Sequence, residues 1–262
     1  MEERIKQYAE TIKEKGVSKS NKRKALNLIR YAEDFVIWHK DQTVVEECQR
    51  IISKWLNDMG LELKPSKTRI THTMDGFEFL GFNIRQYKVG KNQSKQGFKT
   101  IIKPSKEKIS EHYEQLSLVI DRHKAAPQEA LIRQLKPIIR GWCNYHKTVC
   151  SQEVFSKIDY MLWNKLRRWG YRRHPKKSKT WVNSKYWGTI GEDNWMFKTF
   201  EGNHLPKHAK TEIVRHKKIQ DTRSPYDGDL IYWSTRMRKY PEMTTQKGKL
   251  LERQKGFEVT VR

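Results

Sequence analysis

Glu33 and Asp34 stand side by side between two apolar runs, Leu26 to Tyr31 and Phe35 to Trp38. Adjacent carboxylates at a tight hairpin are costly unless a cation or a hydrogen-bond donor neutralises them, and a divalent metal is the obvious neutraliser. Such a pair could hold Mg2+ for phosphoryl transfer. The bare pattern fits an ordinary polar turn equally well. Lys67, in a later polar stretch, could approach a leaving phosphate or be a solvated loop charge.

Binding is the second chemistry on offer. From Tyr160 to Trp187 there are nine Lys or Arg and no Asp or Glu, interleaved with Tyr160, Trp163, Trp169, Tyr171, Trp181, Tyr186 and Trp187. Cations neutralise phosphates and release counterions, while flat rings and guanidinium planes stack on unpaired bases. A merely solvated helix face mixes signs to gain i,i+4 pairs. RNA contact is therefore expected through this run and the helical stretch before it, at Arg140, Trp142, Tyr145, Lys147, Lys165, Arg167, Arg168, Arg172, Arg173, Lys176 and Lys177. Trp163 and Trp169 are expected at the edge of a core instead.

Several elements must position these groups. A helix on Ile5, Tyr8 and Ile12 is followed by a polar loop through Asn21 to Lys24. Two short buried strands then carry Ala32, Glu33 and Asp34 at the hairpin tip. Val44, Cys48, Ile51 with Ile52, Trp55 and Met59 keep helical spacing up to Gly60, a good stop. Leu61 to Leu63, Thr68 to Thr71 and Phe77 to Ile84 read as strands, with Asp75-Gly76 as a turn. Beyond Pro104 the pattern is helical: Ile109, Tyr113, Leu116 and Ile120, then Leu131, Leu135, Ile138, Trp142 and Tyr145, with a start or kink expected at Pro137. A third stripe is Phe155, Ile158, Leu162 and Leu166. After residue 188 short elements and loops are expected, with a last helix near Gly248 to Gln254.

Composition narrows the function classes. Fifty-four Lys and Arg against 30 acids give a net charge of +24, which attracts phosphate backbones and repels itself without one. Eleven per cent aromatics, nine Trp among them, excludes a merely solvated basic tail. Cys48, Cys143 and Cys150 form no CxxC or zinc-ligand spacing and are expected to be reduced packing residues. His204, His208 and His216 are expected to be solvated. No apolar run reaches transmembrane length and the charged N-terminus is no signal peptide, so the expectation is a cytoplasmic protein of bacterial type or an organellar one, not a secreted one.

The segment from Arg30 to Val36, with Tyr31-Ala32-Glu33-Asp34 at its centre, resembles the Tyr-Ala-Asp-Asp box of group II intron reverse transcriptases. Leu61 to Thr68 looks like the family's next block, and Phe79-Leu80-Gly81-Phe82 like the block that closes the palm. Ile138 to Tyr145, Leu166 to Trp169 and Trp181 to Trp187 are similar to its thumb, or maturase-specific domain. Lys249 to Gly256 looks like the lead-in to a nuclease whose cysteine pairs are not in this sequence.

The resemblance implies an α+β fold: the C-terminal part of a polymerase palm over 1–102, a helical thumb over 103–187, and an irregular basic, DNA-binding-like region over 188–262. It implies Mg2+ as the family's metal and structured group II intron RNA as partner, with DNA contact through the last region. Glu33 stands where the family has its first box aspartate, and an earlier palm strand with another metal-binding aspartate is not in this sequence. The expectation is therefore a truncated maturase that binds intron RNA and assists splicing. RNA-directed DNA polymerase activity is expected only if the missing palm half is supplied, and a generic basic nucleic-acid-binding protein is the remaining alternative.

Overall fold

The computed structural model of the protein describes residues 1–13 and 15–214, together with positions 219, 220, 223, 224, 226–229, 232, 233, 246, 250 and 253. The helix expected near Gly248 to Gln254, the Lys249 to Gly256 segment and His216 lie outside the described residues, wholly or for the most part. Helices and small antiparallel sheets alternate in an α+β arrangement, and the chain divides into two units, Met1–Glu114 and Gln115–Arg262. The division falls inside a helix, where the sequence suggested a boundary at residue 102. Among the described residues no helix is long and apolar enough to cross a membrane.

In the first unit, helices α1 (Glu2–Thr11) and α3 (Gln42–Asn57) bury residues four apart, Ile5 with Ala9 and Val44 with Cys48 and Ile52. That spacing places them on one face of each helix. Leu26 completes this core, and Leu28, Phe35 and Ile37 pack against it. Asp41 caps α3, its carboxylate accepting from the Thr43 amide at 3.0 Å. The expected loop at Asn21 to Lys24 is instead α2 (Lys19–Ala25), capped by Ser18. It buries nothing, so no apolar period betrays it, and straight-chain Lys and Arg are good helix formers.

Strands β1 (Asn27–Tyr31) and β2 (Asp34–Trp38) pair antiparallel from Asn27↔Trp38 to Tyr31↔Asp34. The turn is thus Ala32-Glu33 alone, with Ala32 at φ 51, and Asp34 belongs to a strand rather than the tip. Nor is the hairpin buried on both sides: Ile29 and Tyr31 are 48% and 66% exposed. Only the alternate face, Leu28 with Phe35 and Ile37, reaches the core.

The expected strands at Leu61 to Leu63 and Thr68 to Thr71 do not form. Lys64 and Pro65 open a turn in which the Lys67 and Thr68 amides both donate to the Lys64 carbonyl at 3.0 Å. The single strand expected over Phe77 to Ile84 is two, β3 (Phe77–Phe79) and β4 (Phe82–Lys88), joined by Leu80-Gly81 at φ 49 and 76. Two successive left-handed residues make the tight turn whose twist suits a hairpin. β5 (Phe98–Pro104) completes a β3-β4-β5 sheet, in register from Phe82↔Pro104 to Lys88↔Phe98.

Helices α4 (Lys106–Arg122), α5 (Gln128–His146), α6 (Gln152–Arg173) and α7 (Lys179–Tyr186) follow. α6 buries Phe155, Ile158, Leu162, Leu166 and Trp169 at intervals of three and four, the stripe the sequence predicts extended by one turn. α5 runs without interruption through Pro137. Its buried row is Leu131, Ile132, Leu135, Ile139, Cys143 and His146, one position round from the expected one, which leaves Pro137 and Tyr145 outside. α7 was not anticipated, because Trp181 and Tyr186 obscure the period. Gly170 lets it approach α6: a Cβ there would sit 3.1 Å from Val182 Cγ1 and 3.3 Å from Tyr186 Cδ2.

The stretch expected to be loose from residue 188 is ordered at its start. β6 (Trp187–Ile190) and β7 (Asp193–Phe197) form a hairpin, and Trp187, Met196, Phe197, Leu205 and His208 are all buried. A boundary after residue 187 would cut through β6.

Phe155 has no exposed surface, so Phe155→Ala should lower the unfolding free energy by about 3–5 kcal/mol. Ile29→Thr on the open hairpin face should change it by less than about 1 kcal/mol. Chemical denaturation of the two variants gives both values.

Candidate nucleic-acid interface

The carboxylate hairpin is held by its backbone and by Arg30, which donates to Glu2 Oε1 at 3.2 Å and to the Ala32 carbonyl at 3.3 Å. Glu33 and Asp34 are both exposed, and Lys67 lies in the exposed turn after Lys64. Mg2+ demands near-octahedral oxygen coordination. Among the described residues no group of three or more His, Cys, Asp or Glu side chains is placed to hold a metal. Two adjacent exposed carboxylates do not amount to such a site.

The cations of the helical unit divide by what their hydrogens meet. Lys165 donates to Asp121 Oδ2 at 2.7 Å and is only 21% exposed, tying α6 to α4. That hydrogen bond holds the Asp121 carboxyl below the usual carboxylate range. Arg173 donates to the Lys124 and Ala126 carbonyls at 2.8 and 2.9 Å and lies over Trp169 at 4.7 Å. It closes the loop before α5. Arg167 donates twice to the Tyr171 hydroxyl and covers Trp163 at 4.3 Å, and Tyr171 in turn donates to Asn183 on α7. These three side chains, expected at the RNA, are fasteners within the unit. Trp142 is half-buried, 4.4 Å from His146 and 5.6 Å from Phe155 between ring centroids.

Arg168, Arg172, Lys176 and Lys177 do face solvent at the end of α6 and just beyond. Next to them, Ser178 caps α7 and sets Trp181 out at 39% exposure. Lys177 and Lys185 lie 5.2 and 5.1 Å from its ring centroid, and His174 packs edge-on at 5.0 Å. Burial first, then the charges of Lys185, Arg173 and Lys177, lower the His174 pKa. A half-exposed indole flanked by ammonium groups can stack a base while its phosphates are neutralised.

A second basic surface lies on α5. Arg133, Lys136 and Arg140 recur at three and four residues beside the buried row, and with Glu129, Pro137 and Asn203 they line an open groove of about 560 Å³. Arg140 was expected; Arg133 and Lys136 were missed, although the outer face of a predicted amphipathic helix is where to look. Tyr145 is 53% exposed farther along α5, and Lys147 donates to Asn144 Oδ1 at 3.0 Å.

The histidines and cysteines also depart from expectation. His208 is fully buried: its Nδ1 lies 2.7 Å from Asp159 Oδ1, and the His208 and Ala209 amides donate to the same carboxylate at 2.9 Å. Asp159 thereby fastens the 3-10 turn His208–Lys210 onto α6. His204 is half-buried beside the Gly202 carbonyl. Cys48 and Cys143 are buried and pushed up to about 11 by that burial, whereas Cys150 is exposed. His146, 2% exposed, is pushed down to about 4 by burial.

Two family models match the chain. The reverse transcriptase (RNA-dependent DNA polymerase) model covers residues 3–84, and the group II intron, maturase-specific domain covers residues 109–187. Among curated proteins, the group II intron-encoded protein LtrA of Lactococcus lactis subsp. cremoris, and the same protein of strain MG1363, are each 27% identical over an alignment that covers 79% of this chain and 37% of theirs. The chain spans little more than a third of the length of these relatives.

Because the folded state disfavours the proton on His146, stability present above the ordinary pKa of 6.5 should be lost as pH falls from 6.5 towards 4 and level off below. The loss is on the order of 3 kcal/mol. His146→Leu should remove that part of the pH dependence, read as the thermal midpoint against pH. Asp159→Ala strands three buried or half-buried donors and should cost about 2 kcal/mol or more by denaturant titration.

Proposed function

We propose that this chain, whose residues 3–84 match the reverse transcriptase model and 109–187 the group II intron, maturase-specific domain, binds structured group II intron RNA and assists its splicing. The observation that carries this reading is the acid-free stretch from Tyr160 to Trp187, after its internal fasteners are set aside. Arg168, Arg172, Lys176 and Lys177 remain exposed, and Lys177 with Lys185 flanks the Trp181 ring. Charge alone would serve any polyanion. A ring among the charges favours RNA with unpaired bases, where stacking adds to phosphate contact.

The chemistry of splicing would belong to the RNA, with the protein as a scaffold that stabilises its folded form. The groove lined by Arg133, Lys136 and Arg140 supplies a second phosphate-binding surface on the same unit. Divalent metal dependence is general to reverse transcriptases, and Glu33 and Asp34 are the carboxylates this chain would contribute to a polymerase site. No catalytic step is assigned to them.

Filter binding across a salt series tests the proposal with two RNAs of equal length, a folded group II intron domain and a random sequence. The intron RNA should bind at least tenfold tighter at matched salt, and equal binding would refute the reading. Neutralising Lys176 and Lys177 together should reduce the slope of log K against log salt by roughly two units at an unchanged thermal midpoint. Replacing Arg173 should instead lower the midpoint.

A further inference from the structure

β6 and β7 hold the register Gly188↔Met196 and rejoin at Ile190↔Asp193, so Asn194 and Trp195 together face the single residue Thr189. This is a β-bulge, the device that re-aims a side chain out of a ladder. Trp195 sits in it at φ 58. A left-handed backbone at that value is strained for a bulky residue, and bulges commonly give the position to glycine. Packing does not explain the choice, because Trp195 is 55% exposed.

The bulge is braced on both sides by cations. Lys207 Nζ donates to the Asn194 carbonyl at 2.9 Å and Lys198 Nζ to the Thr189 carbonyl at 3.3 Å. Thr189 Oγ1 also donates to Asn194 Oδ1 at 2.9 Å. Of the acids nearby, Asp193 is bound to Lys210 at 2.7 Å, and Glu192 stands at the turn. A second ring, Phe200, stands fully in solvent three residues after β7. A strained, exposed indole with ammonium groups fixed beside its backbone suits a planar group carried on a phosphate chain.

We propose that Trp195 is a stacking platform for an unpaired nucleobase, with Lys198 and Lys207 placed to meet the flanking phosphates. The proposal rests on the nucleic-acid reading above and extends it to a segment outside the residues matched by the maturase-specific model, 109–187. Strain at Trp195 is tolerated because the ring is needed outside the ladder. Stacking tolerates any base, so the platform adds affinity for single strands without selecting sequence.

The test uses the full chain with a fluorescent single-stranded RNA of mixed sequence and a duplex of the same length. Trp195→Gly relieves the backbone strain and removes the ring. It should keep or raise the thermal midpoint, weaken single-strand binding roughly fivefold or more, and leave duplex binding unchanged. Because no charge is removed, the slope of log K against log salt should not move. Trp195→Phe should retain most of the affinity. Should the glycine variant lose its fold, Trp195→Asn, which also tolerates a left-handed backbone, repeats the measurement.

Wild-type single-strand binding preserved in the variant would overturn the stacking role alone, as would equal losses on single strand and duplex. A ring kept for a protein partner would give that same preserved binding. Failure of the wild-type chain to bind either RNA would overturn this proposal together with the nucleic-acid reading.

Discussion

Burial of the α6 row, Phe155, Ile158, Leu162, Leu166 and Trp169, is the constraint on which the helical unit depends. Once those five side chains must face inward, the rest of the helix circumference is assigned, and with it the direction of every cation on α6. Asp159 lies off that row and uses its carboxylate to anchor His208 and Ala209, so one helix organises both the core and the segment after β7. Gly170 and Trp169 then set how closely α7 can lie, and α7 carries Trp181.

Within this frame, identical charges take different work according to the acceptors within reach. Lys165 meets a carboxylate, Arg173 meets two carbonyls, and Arg167 meets a tyrosine hydroxyl and an indole face. An arginine already donating to protein carbonyls has fewer hydrogens for phosphate, so its removal is felt in stability first. Arg172, Lys176 and Lys177 are exposed, as is Arg168, whose Nε alone donates to the Asn164 carbonyl, at 3.4 Å. The interface is thus smaller than the cationic run, and its sharper feature is the coupling of free charge to the Trp181 ring.

The first unit presents a different balance. Its core rests on two helices and one face of a two-stranded hairpin, leaving Ile29, Tyr31 and Trp38 on the other face. The two carboxylates that first suggest catalysis sit on this exposed side: Glu33 in the turn and Asp34 opposite Tyr31. Their geometry is that of a hairpin end, with neighbours supplied by backbone rather than by further acids.

Sequence by itself determined the α+β class, the helices α1, α3 and α6, most of the buried row of α6, the hairpin around Glu33, and the acid-free basic stretch. Each is a local property: a period of 3.6 or 2, a turn signal, or a count of charges over a few turns. Sequence also placed Met59, which is 49% exposed beyond the end of α3, on a buried stripe and overlooked Ala9. Only the tertiary structure decided which face of α5 is buried, that Pro137 leaves it intact, that α2 and α7 are helices, and that His208 is buried against Asp159. It also decided which cations are fasteners and that Trp195 is left-handed in a bulge. The fastening contacts depend on partners 40 to 60 positions away, as Lys165 does on Asp121 and His208 on Asp159, and no local window of sequence contains both halves of such a pair.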